Sequence, residues 1–471
     1  MCHAWCLMTI ARQLAAFVTR SSWEEVSAEA RQALKLRVLD SLGCALGALD
    51  GEPIASVRAQ VEDFGGRPLC TLIGGGRSAP DRAALFNGAL VRYLDFNDSY
   101  LAPGETCHPS DNLGAVLAAA EYAGASGRDF LTALAVAYQV QCRLSDEAPV
   151  RAKGFDHTTQ GAYAVAAGVA RALGVDAAGT ANAIAIAGTS LNALRVTRTG
   201  ALSHWKGLAY PATAFAGTHA AFLAMRGITG PPEVFEGNKG FMETIAGQFS
   251  IDWSREDLER VRRTILKRYN AEIHSQSTLE AVLELREQHD FSAAGIQRVE
   301  IEVFDVAYHI IGGGEEGDKT LVRTKEEADH SLPYLVAVAL LDGGVLPEQF
   351  APERIVRDDV QGLLRRVEVR PAEDLSRRFP AEHACRVRIN LHDGQVLAQE
   401  KRDYEGFHTR PLSWKAVAAK FDRLTFPHAD PELRAKIVDA VARLDEIEVA
   451  DLTGLLAQAR TTHRRTGEKE S

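Results

Sequence analysis

Polar residues of the types used in acid–base chemistry are concentrated in four short segments of the chain. The first runs from Asp95 and Asp98 to His108, which stands before a proline and an alanine-rich run. A His-Pro pair at the start of a helix places an imidazole beside free backbone amides, where an anion binds favourably. Either aspartate could hold the ring, because a carboxylate fixes the tautomer of an imidazole and stabilises its charged form. Alternatively, Ser110 or Asp111 caps the helix and His108 has no chemical role.

The other three segments add lysines, arginines and histidines. Among them are, in chain order, Lys153, His157, Arg195, Arg198, Lys206, Lys267 and His274. Taken singly, each lysine or arginine is more often a solvated surface residue than a ligand-binding one. Lysine and histidine that converge on one place would suit the recognition of two or three carboxylates. These segments therefore predict a site for an anionic small molecule.

Helical patterns dominate the first half of the chain and must position these segments. Residues 27–48 begin with a serine cap and carry apolar residues at helical spacing. Residues 113–142 and 161–190 each read as a small-residue helix that stops at glycine, followed by a helix that begins at aspartate. Since small side chains allow helix backbones to approach closely, we expect a tight helical bundle.

The pattern changes near residue 266. Strand-like alternation of apolar and charged residues occurs at 298–304, 363–370 and 385–391, the last before a hairpin turn at 392–395. Helical patterns lie between the strands, notably at 275–289 and 326–342. This mixture predicts a smaller α+β domain.

We therefore predict a mainly α protein into which an α+β domain is inserted. The expected boundaries are a helical domain over 8–265, an α+β domain over 266–402, a second helical part over 403–460 and a polar tail over 461–471. The two helical parts would form one large all-α bundle from both chain ends. The junction of the two domains would form a cleft, and clefts of this kind often bind small molecules.

Composition and motifs argue against several functional classes. A net charge of −10 over 471 residues argues against nucleic acid or an acidic membrane surface as the partner. No apolar run of about 18 residues and no secretory signal is visible, so we expect a cytoplasmic protein that does not cross a membrane. The seven cysteines form no CxxC pair and the histidines are not spaced as HExxH, so we expect no metal and no other cofactor.

Six segments, in order, resemble signatures of the MmgE/PrpD family over roughly residues 8–460. They are VLDSLGCALGA, HPSDNLGA, KGFDHTT, the segment around Lys206, NAEIHSQS and ADHSLPYLVAVALLDG. The family includes 2-methylcitrate dehydratase, cis-aconitate decarboxylase and some epimerases of dicarboxylic acids. The resemblance implies a helical domain made from both chain ends, an α+β lid domain and a homodimer.

The resemblance also implies which side chains form the site. We expect the catalytic residues to be Asp95, His108, His157, Lys206 and His274. We expect the substrate-binding residues to be Ser99, Lys267, Arg195 and Arg198. Asp95 would orient His108, and either His157 or His274 would be its acid–base counterpart.

The HPSDN and AEIHSQS contexts are similar to the dehydratase branch of the family. We therefore expect a metal-independent lyase that dehydrates 2-methylcitrate, or a related citrate-like tricarboxylate, to 2-methyl-cis-aconitate by histidine acid–base catalysis. Decarboxylation of cis-aconitate and epimerisation of a dicarboxylate are alternatives, because both also pass through a carbanion beside a carboxylate. A carboxylate-binding protein without catalytic activity is the alternative from another class.

Overall fold

A computed structural model of the chain describes residues 8–461. The chain forms two compact units. Within the described residues, unit 1 consists of 8–196, 207–264 and 413–461, and unit 2 consists of 197–206 and 265–412. The predicted mainly α fold with a smaller α+β part is confirmed. The polar tail expected over 461–471 lies almost wholly outside the described residues.

Unit 1 is built from long helices, and its alanine-rich segments form the helices expected of them. Its helices of seven or more residues are α1 (Ile10–Arg20), α2 (Ala28–Gly47), α3 (Glu52–Phe64), α4 (Pro80–Tyr93), α5 (Leu113–Ala123), α6 (Gly127–Glu147), α7 (Thr158–Ala172), α8 (Ala177–Ser190), α9 (Trp205–Met225), α13 (Trp414–Thr425), α14 (Pro431–Ala442) and α15 (Val449–Leu456). Helix α9 starts in the 197–206 segment, which belongs to unit 2. Several starts are capped by side chains, as at Ser27 and Asp176.

Both ends of the chain contribute to the bundle of unit 1. Helix α13 packs on α2, where Gly43 and Gly47 leave room for the side chains of Phe421 and Leu424. A Cβ atom at Gly43 would lie only 3.2 Å from the Cα atom of Phe421. The glycines of the VLDSLGCALGA segment are therefore explained by the close approach of these two helices.

Two short antiparallel ladders interrupt the helices of unit 1 and were not expected from the sequence. They pair β1 (Cys70–Thr71) with β2 (Arg77–Ser78), and β3 (Tyr100–Ala102) with β4 (Glu105–Cys107). Strands of two or three residues are too short for an alternating pattern to become visible. The second ladder leads directly into His108.

Unit 2 contains a four-stranded sheet. Its strands are β5 (Ile296–Val303), β6 (Val367–Pro371), β7 (Cys385–Leu391) and β8 (Val396–Lys401), in the spatial order β6-β5-β7-β8. Strands β5 and β6 are parallel, and the other neighbours are antiparallel. The strand expected at 363–370 begins only at Val367, because residues 363–364 complete a helix. One face of the sheet is buried against helices, as the alternation of Val299, Ile301 and Val303 indicates.

The helices of unit 2 differ from the sequence prediction at one place, between residues 326 and 342. Its helices of seven or more residues are α10 (Gln276–Gln288), α11 (Leu332–Asp342) and α12 (Asp358–Leu364). The helix expected over 326–342 is broken, because a short helix ends at Ala328 and α11 begins anew at Leu332. Ser331 caps α11 by accepting the N–H of Tyr334, and Pro333 in its first turn cannot donate to a preceding turn. The break places Asp329 and His330 outside a regular helix.

Two segments pack with unit 2, although the sequence pattern placed them in the helical domain. They are residues 197–206 and 403–412. The 197–206 segment is attached there by an ion pair between Lys206 and Asp329, 2.5 Å apart. The 403–412 segment is attached by the N–H of Leu266, which donates to Gly406 O over 3.1 Å. These contacts join residues far apart in sequence, so composition could not reveal them. No helix within residues 8–461 has the length and apolar character that a membrane crossing requires.

Close packing at Gly127 leads to a prediction about stability. A Cβ atom at Gly127 would lie 1.6 Å from the carbonyl oxygen of Leu444, which is backbone and cannot rotate away. We expect Gly127→Ala to lower the free energy of unfolding by about 1–3 kcal/mol, as overpacking typically does. Urea unfolding followed by circular dichroism measures this change.

The matched control is Gly454→Ala in helix α15, where a Cβ would meet no described atom within 4 Å. Alanine is the better helix former, so this control should be neutral or slightly stabilising. Equal effects of the two variants would contradict the packing described here.

Candidate active site

His108 is positioned in unit 1 by a hairpin and a tight turn. It follows strand β4 and precedes the 3-10 turn Pro109–Asn112. Its Nδ1 atom lies 2.8 Å from the carbonyl oxygen of Asp98 and 3.0 Å from Ser99 Oγ. Because a carbonyl oxygen can only accept, Nδ1 carries the proton and donates it. In the neutral ring, Nε2 therefore holds the lone pair.

The side chain of Asp98 accepts two hydrogen bonds that stabilise the loop before and after His108. Its Oδ1 accepts the N–H of Ser110 over 3.0 Å, and its Oδ2 accepts the hydroxyl of Tyr138 over 2.8 Å. Burial raises the pKa of Asp98, while the hydrogen bonds from Ser110 and Tyr138 act in the opposite direction. The backbone of Asp98, rather than its side chain, contacts His108.

Asp95 lies at the start of the loop in an unusual backbone conformation. Its φ of 55° is in the left-handed region, which few residues other than glycine adopt, and such strain is often found at functional sites. Its carboxylate is 2.6 Å from the guanidinium of Arg92, which is also 3.7 Å from Asp111. The expectation that Asp95 orients His108 stays a prediction.

His157 stands beside His108 at the start of helix α7. The two ring centroids are 5.4 Å apart with an angle of 74° between the planes, and the ring of Tyr210 stacks on His157 at 6.2 Å. The Nδ1 atom of His157 lies 3.4 Å from the carboxylate of Asp156, which is 3.8 Å from Arg195. Unit 1 thus brings together two buried imidazoles with different partners.

In unit 2, Lys206 belongs to a buried cluster that we call the Asp329 cluster, formed by Lys206, Lys325, Asp329 and His330. Asp329 lies 2.5 Å from Lys206 and 2.8 Å from Lys325, while Nδ1 of His330 is 2.9 Å from the ammonium group of Lys206. Although burial raises the pKa of Asp329, the two lysines hold it well below its usual range. The cluster thus places two lysines and a histidine around one buried carboxylate.

Arg198 lies close to the backbone of Lys206. Its guanidinium is buried and donates to the carbonyl oxygen of Lys206 over 2.9 Å. This contact supports the backbone that carries Lys206.

Lys267 and His274 lie in a loop of unit 2 that is stabilised by hydrogen bonds to the side chain of Gln276. The side-chain oxygen of Gln276 accepts the N–H groups of Arg268 and Tyr269, each over 3.0 Å. Both Lys267 and His274 are buried. Nδ1 of His274 donates to Glu272 over 2.6 Å.

Glu272 is the charged centre of that loop. Burial raises its pKa, but His274, His330 and Lys267 more than offset this and lower the pKa to about 2. The carboxylate therefore stays ionised throughout the usual pH range.

Several residues of these clusters were not among the expected site residues. They are Tyr138, Tyr210, Glu272, Asp329 and His330. The signal for two of them was present, since an acidic residue and a histidine interrupt an otherwise apolar helical pattern before Ser331. Tyr138 and Tyr210 lie inside alanine-rich helices, and nothing in the local pattern distinguishes them from core residues.

Comparison with known proteins gives two family matches. The MmgE/PrpD N-terminal domain model matches residues 12–254, and the MmgE/PrpD C-terminal domain model matches residues 269–446. The first match contains His108 and His157, and the second contains Glu272 and Asp329.

Individual relatives carry related names. The chain is 29% identical to a 2-methylcitrate dehydratase of Cupriavidus necator, over 94% of this chain and 95% of the relative. It is 31% identical to the 2-methylcitrate dehydratase of Escherichia coli, over 65% of this chain and 66% of the relative. It is also 26% identical to the cis-aconitate decarboxylase of Mus musculus, over 88% of this chain and 86% of the relative.

The low pKa of Glu272 predicts how stability depends on pH. The pKa is about 2 in the folded chain against an ordinary value of 4.5, so the stabilisation is present above about pH 4.5 and is lost as the pH falls towards 2. In Glu272→Gln, we expect the free energy of unfolding to fall less steeply with acidification, by the equivalent of about one proton. Urea unfolding at several pH values between about 3 and 6 measures this slope. The control is Glu353→Gln, which removes an exposed carboxylate of the same unit. If the free energy of unfolding of Glu272→Gln depends on pH as steeply as that of the wild type, the low pKa assigned to Glu272 is wrong.

Proposed function

The chain belongs to the MmgE/PrpD family and is an enzyme of the dehydratase type, and we propose that it removes water from 2-methylcitrate or a closely related tricarboxylate. The product would be 2-methyl-cis-aconitate. The observation that carries the proposal is the pair of buried imidazoles, His108 and His157, whose ring centroids are 5.4 Å apart. The relatives named 2-methylcitrate dehydratase support the substrate class.

The reaction is an elimination across two neighbouring carbons. A base takes the proton from the carbon beside a carboxylate, the C–O bond to the hydroxyl group breaks, and the electrons of the C–H bond form the double bond. The leaving hydroxide takes up a proton and departs as water. The reaction therefore requires one proton acceptor and one proton donor, and an imidazole near neutral pH can be either.

The groups that lie next to His108 and His157 suggest which of them is the base and which is the acid. We assign His108 as the base, because its Nδ1 proton is donated to the Asp98 carbonyl and its Nε2 holds the lone pair. We assign His157 as the acid, because the carboxylate of Asp156 beside its Nδ1 favours the charged ring. Ser99, which contacts Nδ1 of His108, keeps the expected role of a substrate-binding residue as part of this proposal.

The negative charge that develops during the reaction needs fixed cations. Lys206 is the principal candidate, since its ammonium group is buried in the Asp329 cluster beside His330. Lys267 and Arg195 are further candidates that bind substrate carboxylates. Arg198, which donates to the carbonyl oxygen of Lys206, keeps its expected role of a substrate-binding residue as part of this proposal.

The other expected features of the protein remain proposals. A homodimer, a cytoplasmic location and a reaction that needs no metal or cofactor are all consistent with this function. Decarboxylation of cis-aconitate is the second candidate, favoured by the similarity to the mouse decarboxylase.

The first test is substitution of the base and of the principal cation. We expect His108→Ala and Lys206→Ala each to lower the turnover of 2-methylcitrate by at least ~10²-fold, which is a typical contribution of acid–base catalysis. The increase in ultraviolet absorbance from the conjugated product measures turnover.

Matched controls remove the same residue types from exposed positions, with His392→Ala for histidine and Lys239→Ala for lysine. These controls should retain wild-type turnover. If His108→Ala and Lys206→Ala fold normally and also retain it, the assigned residues are wrong.

The second test is a panel of substrates assayed with and without a chelator. We expect 2-methylcitrate to give the conjugated product and cis-aconitate to release no carbon dioxide. Turnover should not change with chelator, because side chains supply both proton transfers. Carbon dioxide release from cis-aconitate would identify a decarboxylase instead, and loss of turnover on chelation would overturn the metal-independent mechanism.

A further inference from the structure

Lys420 connects the C-terminal part of unit 1 to the loop before His108. It lies in helix α13, and its ammonium group donates to the carbonyl oxygen of Phe96 over 2.7 Å. The same nitrogen lies 3.7 Å from the centroid of the Phe96 ring, so that one lysine contacts both the backbone and the side chain of this residue. The two contacts restrain Phe96 relative to helix α13, although the two residues are far apart in sequence.

Asp40 in helix α2 fixes the position of Lys420 in turn. Its carboxylate is fully buried and lies 2.7 Å from the ammonium group, and the lysine side chain is almost wholly buried as well. Asp40 lies one helical turn before Gly43, where α2 and α13 approach most closely. Separating a buried ion pair is strongly unfavourable, because it leaves a charge inside the protein without compensation. The pair therefore holds a fixed donor towards the Phe96 carbonyl.

The carbonyl that Lys420 contacts lies two residues before the one that contacts His108. The carbonyl oxygen of Asp98 accepts the Nδ1 proton of His108 over 2.8 Å. Residues 95–98, between helix α4 and strand β3, form neither helix nor strand, so side-chain contacts must fix their backbone. Asn97 donates to Ser110 Oγ over 2.8 Å, which attaches the segment to the turn after His108. The contact with Lys420 attaches the same segment to helix α13.

The position of the Asp98 carbonyl determines how His108 can act as a base. A hydrogen bond at Nδ1 selects the tautomer that has its lone pair on Nε2, and it also orients the ring. A displacement of about 1 Å at a reacting group, caused by a substitution far from the chemistry, can lower a rate by about 10²-fold. A contact that restrains the backbone two residues away can therefore affect turnover without touching the substrate.

We propose that Lys420 is a positioning residue for His108. With Asp40 as its counter-ion, it holds residues 95–98 so that the Asp98 carbonyl receives the Nδ1 proton of the imidazole. This inference rests on the proposed function, because it concerns the residue assigned there as the base. It adds the C-terminal part of the chain to the groups that support the site, whereas the sequence predicted no site residue beyond His274.

Substitution of Lys420 by methionine tests this role. Methionine keeps an unbranched apolar side chain but removes both the donor and the charge. We expect Lys420→Met to lower kcat for 2-methylcitrate by roughly 10- to 100-fold, because the base loses its fixed orientation. KM should stay within about threefold of wild type, because the cations assigned to bind the substrate are unchanged.

The matched control is Lys35→Met. Lys35 lies in helix α2, and its buried ammonium group donates to the carbonyl oxygen of Ala442 over 2.9 Å and pairs with Asp445 at 2.5 Å. It therefore joins α2 to the C-terminal part of unit 1 with the same two kinds of contact, and none of its bonds reaches residues 95–98. We expect Lys35→Met to lower the midpoint of urea unfolding, as Lys420→Met does, and to keep kcat within about threefold of wild type.

A double variant separates positioning from a loss of stability. Lys420→Met alone leaves the Asp40 carboxylate buried without the ammonium group beside it, which is strongly destabilising. In Asp40→Asn/Lys420→Met both charges are removed, so we expect the midpoint of urea unfolding to return towards that of the wild type while kcat stays low. If kcat recovers together with stability, or if Lys420→Met keeps kcat within about threefold of wild type, Lys420 has no positioning role.

The tautomer of His108 can be measured without any substrate. Nuclear magnetic resonance of protein labelled with nitrogen-15 in its histidine rings, at a pH where the ring is neutral, shows which nitrogen carries the proton. The His108→Ala variant identifies the signals of His108 by their absence. We expect the proton on Nδ1 in the wild type and a mixture of both tautomers in Asp40→Asn/Lys420→Met. The same tautomer in both proteins would overturn the inference.

These measurements separate the inference from the proposed function. Failure of the wild type to turn over any substrate of the panel overturns the proposed function alone. The resonance experiment then decides about Lys420: a change of tautomer at His108 supports the positioning role, and an unchanged tautomer rejects it.

Discussion

The need to compensate buried charge determines how both units arrange their polar residues. An ionised carboxylate inside a protein is destabilising unless cations or hydrogen-bond donors surround it. Asp329 meets this requirement with two lysines, and Glu272 meets it with His274, Lys267 and His330. The buried carboxyl group of Asp98 accepts hydrogen bonds from the N–H of Ser110 and the hydroxyl of Tyr138. Each carboxylate thereby fixes the position of the groups around it.

These polar groups lie where regular structure begins, ends or is interrupted. His108 follows a short strand, His157 begins α7, and Asp329 stands in the break before α11. At such places backbone N–H and carbonyl groups are not used by the helix and can bond to side chains. The Asp98 carbonyl and the N–H of Ser110 are used in this way. The long alanine-rich helices position these places but contribute few of the groups themselves.

The same physics explains what could be predicted from the sequence. The helices of unit 1 were predicted because alanine runs, caps and glycine stops are local signals. The break at 329–331 was not predicted. Its Asp329 forms an ion pair with Lys206, which is more than a hundred residues away in the sequence, so no local signal indicates it. Similarly, the sequence pointed to an aspartate beside His108, but only the three-dimensional structure identifies the Asp98 carbonyl as its contact. Residue types and segments were therefore predictable, whereas the pairing of groups across the chain was not.

The three histidines of the expected site have the same side chain but different partners, and the partner determines what each can do. A neutral carbonyl at Nδ1 leaves His108 as a proton acceptor at Nε2. At His157 the Nδ1 atom lies 3.4 Å from the carboxylate of Asp156. At His274 the Nδ1 atom donates to the carboxylate of Glu272, and the ring packs beside Phe304. The chemistry of a histidine in this protein thus depends less on its place in a motif than on which atom meets each of its two nitrogens.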